Sequence, residues 1–255
     1  MPKINPLALS IIGGCFLILI TYSLFWVLYF HAGSSNAVSA ALNTLGGYFG
    51  GIATLWAAVV AACLFNDWKV QKKYELEKEY IEKFSSYIFE IYSLINSQSS
   101  QILYMFESYS NNKTFTVLKL DNVDFVDVSI KDKHAHHLVN LIKQIIPECN
   151  LANNYDDFQN YLSYLCLLNE KASKRYFLYF SDYSHDSPFL ALHYEGHQMK
   201  PTEIFGYRRF IEAIEKPLTI KMNNQEQIIS YAQLLEYFNG SFKNLNTEII
   251  KYLKP

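Results

Sequence analysis

Two long stretches without charged side chains open the chain. Pro6–Phe30 has 25 residues and Ala37–Phe65 has 29 residues. As a helix, the first stretch would be roughly 37 Å long, which exceeds the roughly 30 Å of a bilayer's hydrocarbon core. His31–Asn36, between them, has the composition of a short turn. The pattern predicts a two-helix transmembrane hairpin over residues 1–66.

A secretory signal peptide is the competing interpretation of the first stretch. Signal peptides have an apolar core of about 7–15 residues behind a basic segment. Here the apolar core is far longer, and Lys3 is the only basic residue before it. The hairpin is therefore favoured.

The second stretch carries small side chains on one side of its predicted helix. At about 100° per residue, the small residues of 43–62 fall on one half and the large ones on the other. Small faces let helix backbones approach closely in lipid, and Gly46/Gly50 and Gly47/Gly51 have the GxxxG spacing. The small face consists of Asn43, Gly46, Gly47, Gly50, Gly51, Ala53, Thr54, Ala57, Ala58, Ala61 and Ala62. The bulky half, expected to face lipid, consists of Leu45, Tyr48, Phe49, Ile52, Leu55, Trp56, Val59 and Val60.

Two partners could cover the small face. The first helix of the hairpin could fill it, which would make the hairpin an inert anchor. A second copy of the chain could also pack on it, because the face is wider than one neighbouring helix usually covers. Asn43 favours a second copy, since a polar amide within the membrane needs a partner.

Lysines directly follow the second stretch. Lys69, Lys72 and Lys73 lie there, whereas the predicted turn has no lysine or arginine. Cytoplasmic flanks of membrane helices carry the excess of positive charge. We therefore expect a multi-pass membrane protein with two spans and both termini cytoplasmic.

A regular apolar stripe follows between residues 81 and 105. No glycine or proline interrupts residues 67–110, which are predicted to continue the second helix as a long cytoplasmic exit helix. The stripe could be a coiled-coil seam between copies or the core face of one domain. Because fewer than four clean heptads are present, the core face is favoured. Its members are Ile81, Phe84, Ile88, Ile91, Ile95, Ile102 and Met105, with Gln98 at the missing position.

Residues 111–255 are predicted to be a mostly helical cytoplasmic regulatory domain, so the expected fold class is mainly α. Period-two stretches between Asn111 and Lys133 predict a small β-hairpin. Gly240 predicts a helix stop, and Ser181–His197 is expected to be a long loop. The predicted helices are His134–Cys149, Tyr155–Tyr179, Pro201–Ile214, Glu226–Phe238 and Phe242–Leu253.

Charge is confined almost entirely to this later part. After residue 66 the chain has 21 lysines and arginines against 24 aspartates and glutamates, a net charge of −3 with histidine neutral. This balance is not that of a dedicated phosphate-binding protein. Cys15 and Cys63 lie in the uncharged stretches, Cys149 and Cys166 lie later, and none is in the predicted turn. The four thiols are expected to be reduced, small apolar residues.

Histidine-containing fragments are weak candidates for chemistry. His134 and His137 would share a helix face, but no cysteine or carboxylate follows at ligand spacing. The HYEGH fragment at 193–197 has a glycine where a zinc-protease helix must be continuous. His185 precedes an aspartate, but further ligands cannot be nominated. We therefore expect no enzyme activity, no metal and no cofactor.

Two basic spots are interleaved with aromatic residues and are candidate contacts of a partner. An ordinary amphipathic helix face explains such a pattern more simply than nucleic-acid binding does. A local patch could nevertheless contact a nucleoprotein partner. The candidate residues are Lys171, Lys174, Arg175, Tyr207, Arg208 and Arg209.

The segment TLGGYFGGIATLWAAVVAACLFNDWKVQ passes from the hairpin straight into a helix rich in Lys, Glu and Gln. This arrangement resembles the bacterial phage abortive-infection membrane proteins. In particular, it is similar to the two-transmembrane effector encoded with retron reverse transcriptases. The resemblance covers about residues 1–83.

The resemblance implies an anti-phage defence toxin. Such an effector is held inactive by a reverse transcriptase with its hybrid RNA–DNA product. When a phage disturbs a monitored host function, the released effector acts on membrane lipid, disrupts the cell inner membrane and kills the infected cell. A second copy packed on the small face would make the effector a homo-oligomer. A passive membrane-anchored scaffold or sensor without pore activity is the alternative.

Overall fold

The structure, a computed structural model, is mainly helical, as the sequence predicts. The chain divides into two compact units, Met1–Leu76 and Glu77–Pro255, here called the N-terminal and C-terminal units. The described residues are 6–31, 35–180, 192–194, 198–222 and 225–253.

The N-terminal unit contains helix α1, Pro6–His31, and the first part of helix α2, Ser35–Asn112. One unbroken helix thus covers both the second uncharged stretch and the predicted exit helix. The segment Gly46–Asn112 of α2 is long and apolar enough to cross a membrane, with a mean hydropathy of 1.9 in its most apolar window. In α1, the apolar segment Ile12–Leu28 is shorter.

Helices α1 and α2 contact each other where a glycine meets an indole ring. A β-carbon placed on Gly13 would lie 2.6 Å from Cζ2 of Trp56, so a larger residue would displace the ring. On α2, Phe49, Ile52, Trp56 and Val60 are half-buried, and their spacing puts them on one face. This is the face of α2 that is turned toward α1.

The C-terminal unit is built around a central helix, α4. It packs against α3, α5 and α6. Two short antiparallel sheets complete the unit, β1 with β2 and β3 with β4. The elements after α2 are β1 Phe115–Val117, α3 Phe125–Ile145, α4 Leu151–Phe180, β2 Leu192–Tyr194, α5 Pro201–Glu215, β3 Leu218–Met222, β4 Gln225–Ile229 and α6 Tyr231–Leu253.

The apolar stripe of α2 is a core face, as favoured from the sequence. Every member from Ile81 to Met105 is at most 1% exposed. Gln98, at the position that breaks the stripe, is also buried, and its Nε2 donates to the carbonyl oxygen of Asp121 at 2.8 Å. The stripe is thus buried by the chain itself.

The small hairpin expected between residues 111 and 133 is not formed. Strand β1 pairs with β2, with Phe115 opposite Tyr194. The second period-two stretch instead enters α3, whose N-cap is Asp124. The Asp124 carboxylate accepts from the N–H groups of Val126 and Asp127 at 2.9 and 3.3 Å. Such a cap favours a helix start over a strand.

The predicted helix Glu226–Phe238 is wrong in its first part. Residues 225–229 form β4, paired in register with β3, and α6 begins only at Tyr231. Asn223 and Asn224, between the two strands, are of a residue type favoured in two-residue hairpin loops. This pair was the available sequence signal.

The predicted helix stop at Gly240 is also wrong, because α6 continues to Leu253. Leu245 and Ile249, beyond the glycine, are at most 1% exposed, and their burial favours continuing the helix. In the predicted loop 181–197, Leu192–Tyr194 forms β2, and the rest lies outside the described residues.

Candidate functional site

The small face of α2 is exposed along its whole length. Every member from Asn43 to Ala62 is solvent-accessible in this chain. A β-carbon placed on Gly46, Gly47, Gly50 or Gly51 would meet no other atom within 4 Å. Within the described residues, α1 therefore does not fill the small face.

The bulky half of α2 does not face outward as a whole, which corrects the expectation from the sequence. Leu55 is 70% exposed, but Trp56 lies against Gly13 of α1. A tryptophan ring offers a large contact area, and a glycine opposite it allows the backbone to come close. The Gly13–Gly14 pair in the first stretch was the overlooked signal for this contact.

The lysines that follow the uncharged stretch lie on exposed turns of α2. Lys69, Lys72 and Lys73 are all exposed. The Lys72 ammonium lies 3.3 Å from the carboxylate of Glu75, one turn later. An exposed pair at this spacing contributes only about 0.3–0.5 kcal/mol.

The two basic spots predicted from the sequence come together between α4 and α5. The Arg175 guanidinium donates to the carbonyl oxygen of Arg209 at 2.7 Å. The Arg209 guanidinium lies 5.3 Å from the ring centre of Phe205, which is 51% exposed. Arg208, Lys171 and Lys174 are also exposed. We call these six residues the basic–aromatic patch.

Two charges of this patch are partly neutralised. Lys174 lies 2.6 Å from the carboxylate of Glu170, and Arg209 lies 3.6 Å from that of Glu212. Each pair is exposed and spans one helical turn, so water and salt screen it. The patch therefore keeps positive groups that could bind an anion.

Tyr207 cannot be a partner contact, which corrects its place among the candidate residues. Its side chain is fully buried. Its hydroxyl accepts from the N–H of Thr116 at 3.2 Å and donates to the carbonyl oxygen of Thr116 at 2.9 Å. Tyr176 does the same for Leu118, at 3.0 and 2.6 Å.

These hydroxyls satisfy the backbone of β1 and the residue after it. Among the strands that the structure describes, β1 pairs with β2 alone, so the N–H and C=O groups on its other edge need partners elsewhere. Burial raises the pKa of both Tyr176 and Tyr207 above the ordinary value for tyrosine. Both tyrosines are therefore structural.

The histidines singled out from the sequence have separate surroundings. His134 stacks on Tyr87, with ring centres 5.7 Å apart. Nδ1 of His193 lies 3.1 Å from Oγ1 of Thr116, and His185 and His197 lie outside the described residues. Among the residues that the structure describes, no three His, Cys, Asp or Glu side chains are grouped as a metal site.

The four cysteines are free thiols. Cys15 and Cys63 are exposed along the apolar helices, whereas Cys149 is buried. Burial raises the pKa of the Cys166 thiol to about 12. Since the thiolate is the reactive form, this shift keeps Cys166 in the less reactive thiol form at neutral pH.

Comparisons of the chain with protein-family models, with curated proteins and with solved structures found no match. The small face of α2 and the basic–aromatic patch are two surfaces of the described residues that could bind a partner.

Proposed function

We propose that this chain is an anti-phage defence effector of the cell inner membrane. Its two N-terminal helices cross the membrane, and both termini are cytoplasmic. Copies of the chain associate through the small face and disrupt the membrane, which kills the infected cell. Before infection, a reverse transcriptase with its hybrid RNA–DNA product holds the effector inactive.

The exposed small face is the observation that carries this proposal. A helix in lipid gains nothing by leaving small residues uncovered, because close helix packing is what stabilises such a face. The α1 contact involves the Trp56 side of α2, and the four glycines of the small face have open space around them. A second copy of α2 could therefore approach closely without displacing α1.

The uncharged stretches and the lysines after them support the membrane topology. Helix α2 has the length and hydropathy of a span. Lys69, Lys72 and Lys73 supply positive charge at its end, which favours the cytoplasmic side. With the second span ending there, a hairpin places the N-terminus on the same side.

The basic–aromatic patch supports a nucleic-acid-containing inhibitor. Arg175 and Arg209 converge from two helices, and Arg208 lies next to them in an exposed position. Arginine forms charge-assisted, bidentate hydrogen bonds with phosphate. Binding through such contacts would weaken steeply as salt concentration rises.

The decisive experiment replaces Gly50 by leucine. A leucine side chain at this position would separate two backbones that pack through the small face, at a cost of about 1–3 kcal/mol per site. Membrane insertion is expected to survive, because leucine is more lipophilic than glycine. We expect protein in the inner membrane that no longer crosslinks between copies, depolarises the membrane or kills.

Leu55→Ala is the matched control, because Leu55 is 70% exposed on the opposite half of the same helix. It should retain crosslinking and at least most of the killing. If Gly50→Leu were as toxic as the parent chain, assembly through the small face would be refuted. A wild-type chain that crosslinks through this face without depolarising the membrane would instead support a passive scaffold.

A further inference from the structure

A groove lies between α4 and α6 in the C-terminal unit, and none of its lining residues belongs to the basic–aromatic patch. Its volume is about 360 Å³, which is within the usual range of about 300–1,000 Å³ for pockets that bind small groups. Asp157 and Tyr161 line it from α4, and Glu236, Tyr237 and Gly240 line it from α6. We call it the α4–α6 groove.

Negative charge at this groove is not neutralised by the protein. Asp157 and Glu236 are both exposed, and neither forms an ion pair with any described residue. No lysine or arginine is among the described residues that line the groove. A ligand carrying positive charge would therefore meet two carboxylates, one from each helix.

Two tyrosines form an aromatic wall between the carboxylates. The rings of Tyr161 and Tyr237 are 5.7 Å apart and inclined by 32°. Tyr161 is only 8% exposed, and its hydroxyl has no hydrogen-bond partner among the described residues. Although most of the side chain is buried, its hydroxyl oxygen reaches solvent at the groove wall. The hydroxyl is therefore available to hydrogen-bond a ligand in the groove.

Gly240 of α6 lines the groove and is exposed. A β-carbon placed there would meet no atom within 4 Å. Gly240 is in the interior of α6, where glycine costs about 1 kcal/mol relative to alanine. Gly240 thus lowers the stability of α6, and a larger residue at this position would place its side chain at the groove.

We propose that the α4–α6 groove binds a guanidinium cation. Its planar, weakly hydrated face stacks on the tyrosine wall, and its N–H groups donate to the carboxylates of Asp157 and Glu236 and to the Tyr161 hydroxyl. A guanidinium suits this arrangement better than an ammonium, because it combines a flat face with donors in one plane. The ligand is either an arginine side chain of a partner polypeptide or a small free guanidinium compound.

The test measures binding of a fluorescein-labelled peptide containing two arginines to the full chain in a nonionic detergent, by fluorescence anisotropy. The same peptide with citrulline, a neutral analogue of arginine, should bind at least tenfold more weakly. The double variant Asp157→Asn/Glu236→Gln should also lose at least tenfold in affinity. Gly240→Leu, which fills the groove without changing its charge, should give a similar loss.

Asp156→Asn is the control for non-specific attraction, because Asp156 is an exposed carboxylate on the same turn of α4 that does not line the groove. Its affinity should stay within twofold of the parent. Circular dichroism of each variant verifies that the helices are intact.

Competition with N-acetyl-arginine amide separates the two sources of the cation. Displacement at a concentration near the Kd of the peptide indicates a free small molecule, whereas a requirement for at least a hundredfold more indicates a partner polypeptide. Either result supports the guanidinium site. No binding of the arginine peptide, equal binding of the citrulline peptide, or full affinity in the double variant would overturn it. Because the assay measures only peptide binding, its result does not depend on whether the chain disrupts membranes.

Discussion

The two units of this protein treat large apolar side chains in opposite ways. In the N-terminal unit, Phe16 and Leu55 are 65% and 70% exposed. In the C-terminal unit, Phe84, Phe158 and Phe238 are completely buried. Removing such a ring from water contributes about 1.5–3 kcal/mol to the free energy of unfolding. The C-terminal unit is therefore stabilised by its own core. The N-terminal unit leaves large apolar side chains exposed in this chain.

Glycines, in contrast, are found in both packed and open positions within each unit. In the small face they border open space, as they do at Gly240. Gly13 and Gly206, in contrast, lie directly against an aromatic side chain of a neighbouring helix, Trp56 and Tyr179 respectively. A glycine can therefore either permit a contact within the chain or leave a surface free for one outside it.

The largest predicted effect is the loss of stability of the C-terminal unit at alkaline pH. Burial raises the pKa of Tyr155, Tyr176, Tyr207 and Tyr231. Because unfolded tyrosine ionises near pH 10, the stabilisation is complete below that pH and is lost as pH rises toward the raised values. The expected loss is about 1.4 kcal/mol per tyrosine per pH unit. Unfolding by urea, followed by near-ultraviolet circular dichroism from pH 8 to 11, measures it.

Tyr207→Phe separates this ionisation from other alkaline damage. At pH 8 the variant should be less stable by about 1–3 kcal/mol, because the Thr116 N–H loses its buried partner. Above pH 10 the free energy of unfolding of the variant should fall less steeply with pH than that of the parent, by about 1.4 kcal/mol per pH unit, because one buried tyrosine is missing. An unchanged slope would contradict this explanation.

Gly206→Ala should destabilise the contact between α4 and α5. A β-carbon on residue 206 would overlap the side chain of Tyr179. One of the overlapped atoms is the β-carbon of Tyr179, which no side-chain rotation can move away. Overpacking of this kind costs about 1–3 kcal/mol. Gly240→Ala is the matched control and should be neutral or stabilising by up to about 1 kcal/mol, since it has open space in a helix interior. Equal thermal midpoints of the two variants would refute the close contact.

The smallest effect is expected in the N-terminal unit, at Gly13. Gly13→Leu should displace the Trp56 indole at a cost of about 1 kcal/mol, since the contacting atoms belong to the far end of a ring that can rotate. Gly14→Leu, one residue later, should have no such effect, because Gly14 borders open space. The measurement is Trp56 fluorescence in a Trp26→Phe/Trp68→Phe background. A similar emission shift in both variants would show that α1 and α2 do not meet at Gly13.

Features that repeat along a single helix were predictable from the sequence. The stripe from Ile81 to Met105 was predicted as a core face, and its burial agrees. The composition of the small face also follows from spacing alone, because helical geometry fixes which residues share a side. The basic spots were found by composition, but only the fold brings Arg175 to Arg209.

Contacts between distant parts of the chain were decided by tertiary structure. Strand β1 pairs with β2 rather than with its neighbour in sequence, and the buried hydroxyl of Tyr207 satisfies its other edge. The α4–α6 groove likewise depends on packing between α4 and α6.

By itself, the sequence determined the mainly helical fold, the apolar length of α2 and the members of its two faces. These properties depend on residues a few positions apart, which backbone geometry relates directly. Only the tertiary structure decided that Trp56 meets Gly13, that Tyr207 is a core residue, and that Asp157 and Glu236 border one groove. Each of these depends on which helices pack together, and that is set by the free energy of the whole core rather than by any local pattern.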